Sequence, residues 1–355
     1  MPTTVNPTPG SPGASAAAYV RGPWSSTWGR LKNDRVALAS GITVAAVLLL
    51  CFVGAPVFSH LLGHGPDDPF PFATSDVDLK PVGPWTRVPD LTTVAPVTKD
   101  TPTTLFVLGA DGTLGRDEFL RLLYGGQVTL EVALGAALLA LLIGVPLGIV
   151  AGFYGGWADS LISRATELVM GFPLLLFLVA IGYTIGRRYE YISFHGAIRP
   201  GVLVLVFLIG VFSWFYPARI IRAQVLTLSR EEFVEAARMV GASEARIMRT
   251  HILPHLVAPM IIWATLMTAG TAVFEAAISV LNIGIKLPTA SWGNMLSTNW
   301  GTLLKFDPSR NPYDVVIGKS NWVLFWPTAA LFLTVIALTL FGEGVRRALE
   351  PGAID

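Results

Sequence analysis

The chain has 355 residues, of which 52% are hydrophobic and 14% charged, with a formal net charge of +1 and a mean hydropathy of +0.58. Soluble domains carry about 25% charged residues, so this chain lacks the polar surface that a water-soluble enzyme of its size needs. The same apolar content excludes disorder for most of its length, and the balanced charge excludes nucleic acid as a partner. Cys51 is the only cysteine, which leaves no intrachain disulfide and no cysteine-cluster metal site. In its apolar run it reads as a small buried or lipid-facing residue.

Residues 1–35 are rich in Pro, Gly, Ser and Ala and read as a disordered N-terminal tail. A membrane span needs about 20 mostly apolar residues. The first such run is 36–58, which carries no charge and is too long for a signal-peptide core. Residues 59–127 follow as an outer loop with an insertion. The Pro-, Thr- and Asp-rich composition of its first part suits an extended, weakly structured excursion. Residues 115–125 suit a short amphipathic helix lying on the membrane surface.

The second span is 132–153, the third 168–185 and the fourth 200–218. The fifth is 256–274, with apolar character continuing past Glu275 to Ile285. A second large outer loop, 282–320, brings Trp292, Trp300 and Trp322 near interfacial depth. The sixth span is 321–342. Pro146, Pro173, Pro217, Pro259 and Pro327 fall in or near spans, where they are expected to kink the bundle. Helices satisfy their own backbone in lipid, so the expected fold is an all-α membrane bundle of six transmembrane helices. Its core domain is 128–350.

Arg30, Lys32 and Arg35 precede the first span, while Arg346 and Arg347 follow the last. This places both termini in the cytoplasm, in a multi-pass protein. The loop between the fourth and fifth spans falls on the same side and carries Arg219, Arg222, Arg230, Arg238, Arg246 and Arg249. Arg187, Arg188 and Arg199 in an outer loop blur the asymmetry.

That inner loop reads SREEFVEAARMVGASEARIMRTHILP over 229–254. Ser229 and Glu232 have the spacing of a capping box. Glu231, Glu235 and Arg238 share one helical face, while Phe233, Ala237 and Val240 share another. Gly241 is placed to end this helix in the left-handed region. Ser243 is placed to cap a second short helix reaching toward His251, and Pro254 marks a break before the fifth span. The expected product is a helix, a glycine corner and a second helix. Such an element suits seating in a groove of a partner, although an ordinary surface helix has the same pattern.

Glu235-Ala236-Ala237, Gly241 and Leu253-Pro254 resemble the EAA loop of ABC importer permeases. His251-Ile252-Leu253-Pro254 is similar to the form in the dipeptide/oligopeptide branch, the DppC/OppC-like permeases. Leu108-Gly109, Asp111, Gly115-Arg116-Asp117, Gly144-Val145-Pro146-Leu147-Gly148, Gly152-Phe153-Tyr154-Gly155-Gly156-Trp157 and Ser291-Trp292-Gly293-Asn294-Met295-Leu296 also resemble that branch. The outer stretches near 60–104 and 301–319 are longer than usual.

The resemblance implies a type I ABC importer permease fold in the bacterial inner membrane. It implies half of a translocation path for di- or oligopeptides delivered by an extracytoplasmic substrate-binding protein. The implied partners are a second permease subunit (DppB/OppB-like), two ATPase subunits (DppD/DppF-like or OppD/OppF-like) and membrane lipid. It implies no cofactor in this chain, with ATP and Mg held by the ATPases. The coupling loop at 224–255 would contact them through Glu232, Phe233, Glu235, Ala236, Ala237, Arg238, Val240, Gly241, Ala242, Ser243, Leu253 and Pro254. A permease for another solute, such as nickel or a sugar, is the alternative. An ion-coupled secondary transporter is a further one.

Glu275 is an ionisable group at membrane depth, where function is the default reading. It is the one candidate for the translocation path, facing the path or bonding a neighbouring helix. Glu275-Ala276-Ala277 repeats the loop's letters without glycine at the required spacing, since Leu281 stands there. Gly318-Lys319-Ser320 imitates the end of a phosphate loop, but Tyr313 replaces the first glycine, and the chain is not itself an enzyme on this reading. His251 and His255 have metal-ligand spacing without the accompanying glutamate, and no metal is expected.

Overall fold

A computed structural model describes residues 23–74, 81–90, 101–112, 114–171, 173–185, 201–304 and 322–349. Helix α1 is Pro23–Asn33, and α2 is Arg35–Leu62, with a π-turn at Leu50–Gly54. The long helix α3, Glu118–Tyr154, turns at Gly155 into α4, Gly156–Met170. Then come α5, Leu174–Ile185, α6, Val202–Val211, and α7, Phe215–Leu228. After α8, Glu232–Met239, runs α9, Glu244–Val280, with a π-turn at Met248–Ile252. The last helices are α10, Trp292–Leu304, and α11, Trp322–Leu349.

Helices α2, α3, α9 and α11 are each long and apolar enough to cross a bilayer. The third and fourth expected spans are each broken. One runs through α4 into α5 with a bend of 66°, and the other through α6 into α7 with a bend of 41°. Counting each bent pair as one span gives six. Pro173 stands at the first bend, while Pro146, Pro259 and Pro327 lie inside continuous helices.

The bundle is closed by small residues. Gly144, Gly148 and Gly152 recur every fourth residue, on one face of α3. A Cβ on Gly148 would lie 2.6 Å from the Ala218 carbonyl oxygen, and one on Gly152 2.7 Å from that of Arg222. Helices α3 and α7 therefore meet backbone to backbone, which is how spans gain packing energy when lipid offers no hydrophobic drive. At one end of the bundle, Asp34 caps α2 by accepting from the Val36 and Ala37 amides. It also pairs with Arg347 of α11 at 3.2 Å. The start of the first span and the end of the last are thus on the same side.

Three expectations for the polar segments are corrected. Residues 23–33 of the supposed disordered tail form α1, where the Lys32 ammonium lies over the Trp28 ring at 5.2 Å. Residues 115–125 do not form a separate surface helix. Arg116–Asp117 is a strand, β4, paired with β3, Ala110–Asp111, and Asp117 then caps α3 by accepting from the Phe119 and Leu120 amides. The charges turn inward because they find each other. The fully buried Arg121 pairs with Asp111 at 2.5 Å, and donates to Asp67 at 2.7 Å and to the Pro288 carbonyl at 3.3 Å.

The described part of the outer loop is likewise more than a loose excursion. Strands β1, Thr86–Pro89, and β2, Thr103–Phe106, pair antiparallel with Thr86 opposite Phe106. Phe70, Ala73, Val88, Phe106 and Ala110 form a buried cluster of their own. Trp292 is buried as well. It is 2% exposed, and its indole donates to the Leu122 carbonyl at 2.9 Å. Residues 186–200 and 305–321, including Gly318-Lys319-Ser320, lie outside the described residues.

Candidate functional site

The α7–α8–α9 corner folds as the spacing predicts, except at Ser229, Ser243 and Pro254. Ser229 does not cap α8; its hydroxyl donates back to the Leu226 carbonyl at 3.1 Å, closing α7. Glu231 takes the N-cap position of α8 without a side-chain bond. A hydroxyl between two helices can serve either one, and here the preceding helix takes it.

Helix α8 ends in a Schellman motif. The Ala242 amide donates to the Ala237 carbonyl at 3.0 Å, and the Gly241 amide to that of Arg238 at 2.9 Å. This geometry needs a left-handed residue, and Gly241 supplies it with φ of +85°. Ser243 then takes the N-cap position of α9, its carbonyl accepting from the Ile247 amide at 3.0 Å, without a side-chain cap. Pro254 does not break α9; the helix continues through the π-turn that precedes Leu253.

The corner is fixed to the bundle by an apolar anchor. Val234 and Ile247 are fully buried with Val145 of α3, Ile221 and Val225 of α7, and Ile252 and Leu256 of α9. Ala237 and Ala242, which flank the glycine, pack on the same cluster. Arg238 lies over the Phe153 ring at 5.5 Å and pairs with Glu244 at 3.4 Å. Phe233 stacks on His255 at 5.7 Å with 15° between planes, which draws α8 toward the Leu253-Pro254 start of the apolar run. Glu232, Glu235 and Ala236 face outward. At the tip, Met239 is 84% exposed and Val240 88% exposed.

The family described as binding-protein-dependent transport system inner membrane component matches residues 144–355. The N-terminal TM domain of oligopeptide transport permease C matches residues 22–81. The oligopeptide transport system permease protein OppC of Escherichia coli K12 is 31% identical over 92% of this chain and 91% of its own. The glutathione transport system permease protein GsiD of Shigella dysenteriae is 31% identical over 94% and 91%. A putative peptide permease protein of Brucella ovis is 29% identical over 94% and 92%.

The chain belongs to the family of binding-protein-dependent transport system inner membrane components. As a family member it is a multi-pass membrane protein. The corner just described lies at the end of this permease that holds Asp34 and Arg347, because α2 leaves that end and α3 returns to it at Phe153.

Glu275 of the permease sits elsewhere. It is fully buried on α9. One carboxylate oxygen accepts from the Thr129 hydroxyl at 2.9 Å and the other from the Ser279 hydroxyl at 2.7 Å. Thr129 in turn accepts from the Trp292 amide at 3.2 Å. The carboxylate therefore ties α9 to α3 and to the head of α10. A polar group enclosed in this way is stabilised by such bonds.

Sequence reasoning passed over Val234, Met239 and Ile247. Val234 and Ala237, three apart, are the inward pair, whereas Phe233 is 38% exposed and Val240 points away from the bundle. The i, i+3 spacing of Val234 and Ala237 was available as a signal. Sequence reasoning named Arg222 only as a basic flank and passed over its partner Asp159; the two pair across α4 and α7, Arg222 Nη2 lying 2.7 Å from Asp159 Oδ2.

Proposed function

We propose that this permease is the membrane-spanning subunit of an ATP-driven ABC importer and forms half of a path for di- or oligopeptides. The observation that carries this reading is the tip at Met239 and Val240. Two large apolar side chains are presented to the surroundings on a helix whose other side is locked into the bundle. Exposed apolar groups on a rigid support are what a partner's groove takes up. The relatives that carry peptide in their names support the substrate class.

On this reading both termini and the corner are cytoplasmic, and the corner seats in an ATPase subunit, with a second ATPase, a second permease and an extracytoplasmic binding protein completing the assembly. ATP and Mg are bound by the ATPases. The Met239–Val240 tip follows the closing of that pair, and Val234 and Ile247 pass the displacement to α3, α7 and α9. The bundle then exchanges inward-open for outward-open packing, a two-state rearrangement biased from one end.

Gly241→Pro tests the coupling. Proline cannot adopt a φ of +85° and lacks the amide that bonds the Arg238 carbonyl. The variant is expected to reach the membrane at normal levels and to lose peptide-stimulated ATP hydrolysis together with uptake in proteoliposomes. Wild-type stimulation and uptake in that variant contradict the assignment.

A further inference from the structure

A cavity of about 410 Å³ opens between α4 and α7. Ser163, Thr166, Glu167 and Met170 line it from α4, and Arg219 and Arg222 from α7. Both helices are halves of bent spans. Arg219 stands nine residues before the end of α7 at Leu228, about 14 Å along the helix. Arg219 directly follows the apolar run 200–218, and a charge at the edge of a span belongs on a face that fronts water or protein.

The two arginines differ. Arg222 is matched by Asp159 in a bidentate pair. Arg219 is exposed, and its Nη1 donates to the Met170 thioether at 3.2 Å, a weak acceptor. Among the described residues no carboxylate pairs with it. On the same wall Glu167 is exposed, bridged at 3.3 Å to the equally exposed Arg164. One turn before Arg219, on the same face of α7, Tyr216 is exposed and stacks on Trp263 of α9 at 5.9 Å. The cavity therefore offers a guanidinium with no carboxylate partner among the described residues, a carboxylate and two hydroxyls, in a volume at the lower end of that of small-ligand sites.

We propose that this cavity is a station on the translocation path that receives a zwitterionic peptide, its terminal carboxylate on Arg219 and its ammonium group toward Glu167. The assignment rests on the peptide-importer reading. Recognition through the termini leaves side chains unread, which suits carriage of peptides of mixed sequence. Arg222, already neutralised by Asp159, shapes the wall and holds α4 against α7.

The test is uptake by the assembled transporter in proteoliposomes, with tri-alanine compared with its C-terminal amide. Wild type is expected to favour the free acid. Arg219→Gln is expected to lower free-acid uptake about tenfold, the effect of one lost charge-assisted bond, and to erase the preference over the amide. Arg219→Lys is expected to keep most of it.

A preference that is the same in wild type and Arg219→Gln overturns the assignment. So does rescue of Arg219→Gln by neutralising an acidic residue of the second permease, or a defect that tracks anionic lipid content and not the peptide terminus. Should Arg219→Gln fail to co-purify with the ATPases, Ser163→Cys in a Cys51→Ala background gives the reading. A water-soluble thiol reagent is expected to label it, with tri-alanine slowing the reaction, and labelling indifferent to tri-alanine overturns the proposal. Absence of ATP-dependent tri-alanine uptake by wild type overturns the importer reading and this assignment with it. Uptake with an Arg219-independent preference overturns this assignment alone.

Discussion

At the scale of residues, the backbone demands of Gly241 were legible and the side-chain choices around it were not. A helix that must reverse within two residues needs a left-handed position, and glycine is the residue that takes it without cost. Ser229 and Ser243 were harder, because a hydroxyl next to a helix end has several backbone partners in reach and tertiary packing chooses among them. His64 was not singled out at all. It lies 53 residues from its partner, and the pairing exists only once the outer segment has folded. Its ring is held 3.0 Å from the Asp117 carboxylate, the group that caps α3.

Burial pulls the His64 imidazole down, and the hydrogen bond and charge of Asp117 more than offset it, so it titrates above its ordinary 6.5. A raised folded value makes protonated His64 a stabilising group. That contribution is fully present below 6.5 and fades as pH rises through the folded value. The outer cluster around Phe70 and Phe106 is therefore expected to resist proteolysis better at about pH 6 than at about pH 8. His64→Gln should flatten that difference, and a wild type equally resistant at both values contradicts the role given to the pair.

At the scale of elements, hydropathy located each crossing, because apolar length is what the bilayer selects. It could not show that the third and fourth crossings are broken, since a bend of 41° or 66° costs no hydropathy. The π-turns in α2 and α9 are equally silent, being one-residue changes in backbone registry. The Gly144, Gly148 and Gly152 face was quoted as a motif, and its physical meaning emerges only against α7. Two identical substitutions separate close packing from mere helix propensity. Gly148→Ala places a Cβ against the Ala218 carbonyl and is expected to cost about 1–3 kcal/mol. Gly270→Ala, on α9 with nothing within 4 Å, is expected to be neutral or to stabilise by up to about 1 kcal/mol. Melting of the purified protein in detergent measures both, and equal shifts for the two contradict the packing argument.

At the scale of the whole molecule, the Asp34–Arg347 pair brings the start of the first span to the end of the last. That closure requires an even number of crossings, in agreement with six. The Glu275 tie and the Arg121 node gather α3, α9 and the approach to α10 at the opposite end. The permease is thus fastened by polar ties near one end and by the Val234–Ile247 apolar anchor at the other. A displacement applied at Val240 has a rigid route into three spans. The most direct measurement is a photo-crosslinking residue in place of Val240, expressed in cells with the complete set of subunits. The account predicts an adduct with a nucleotide-hydrolysing subunit, on the cytoplasmic side. No such adduct, or capture of the probe by an impermeant reagent added outside the cell, would contradict it.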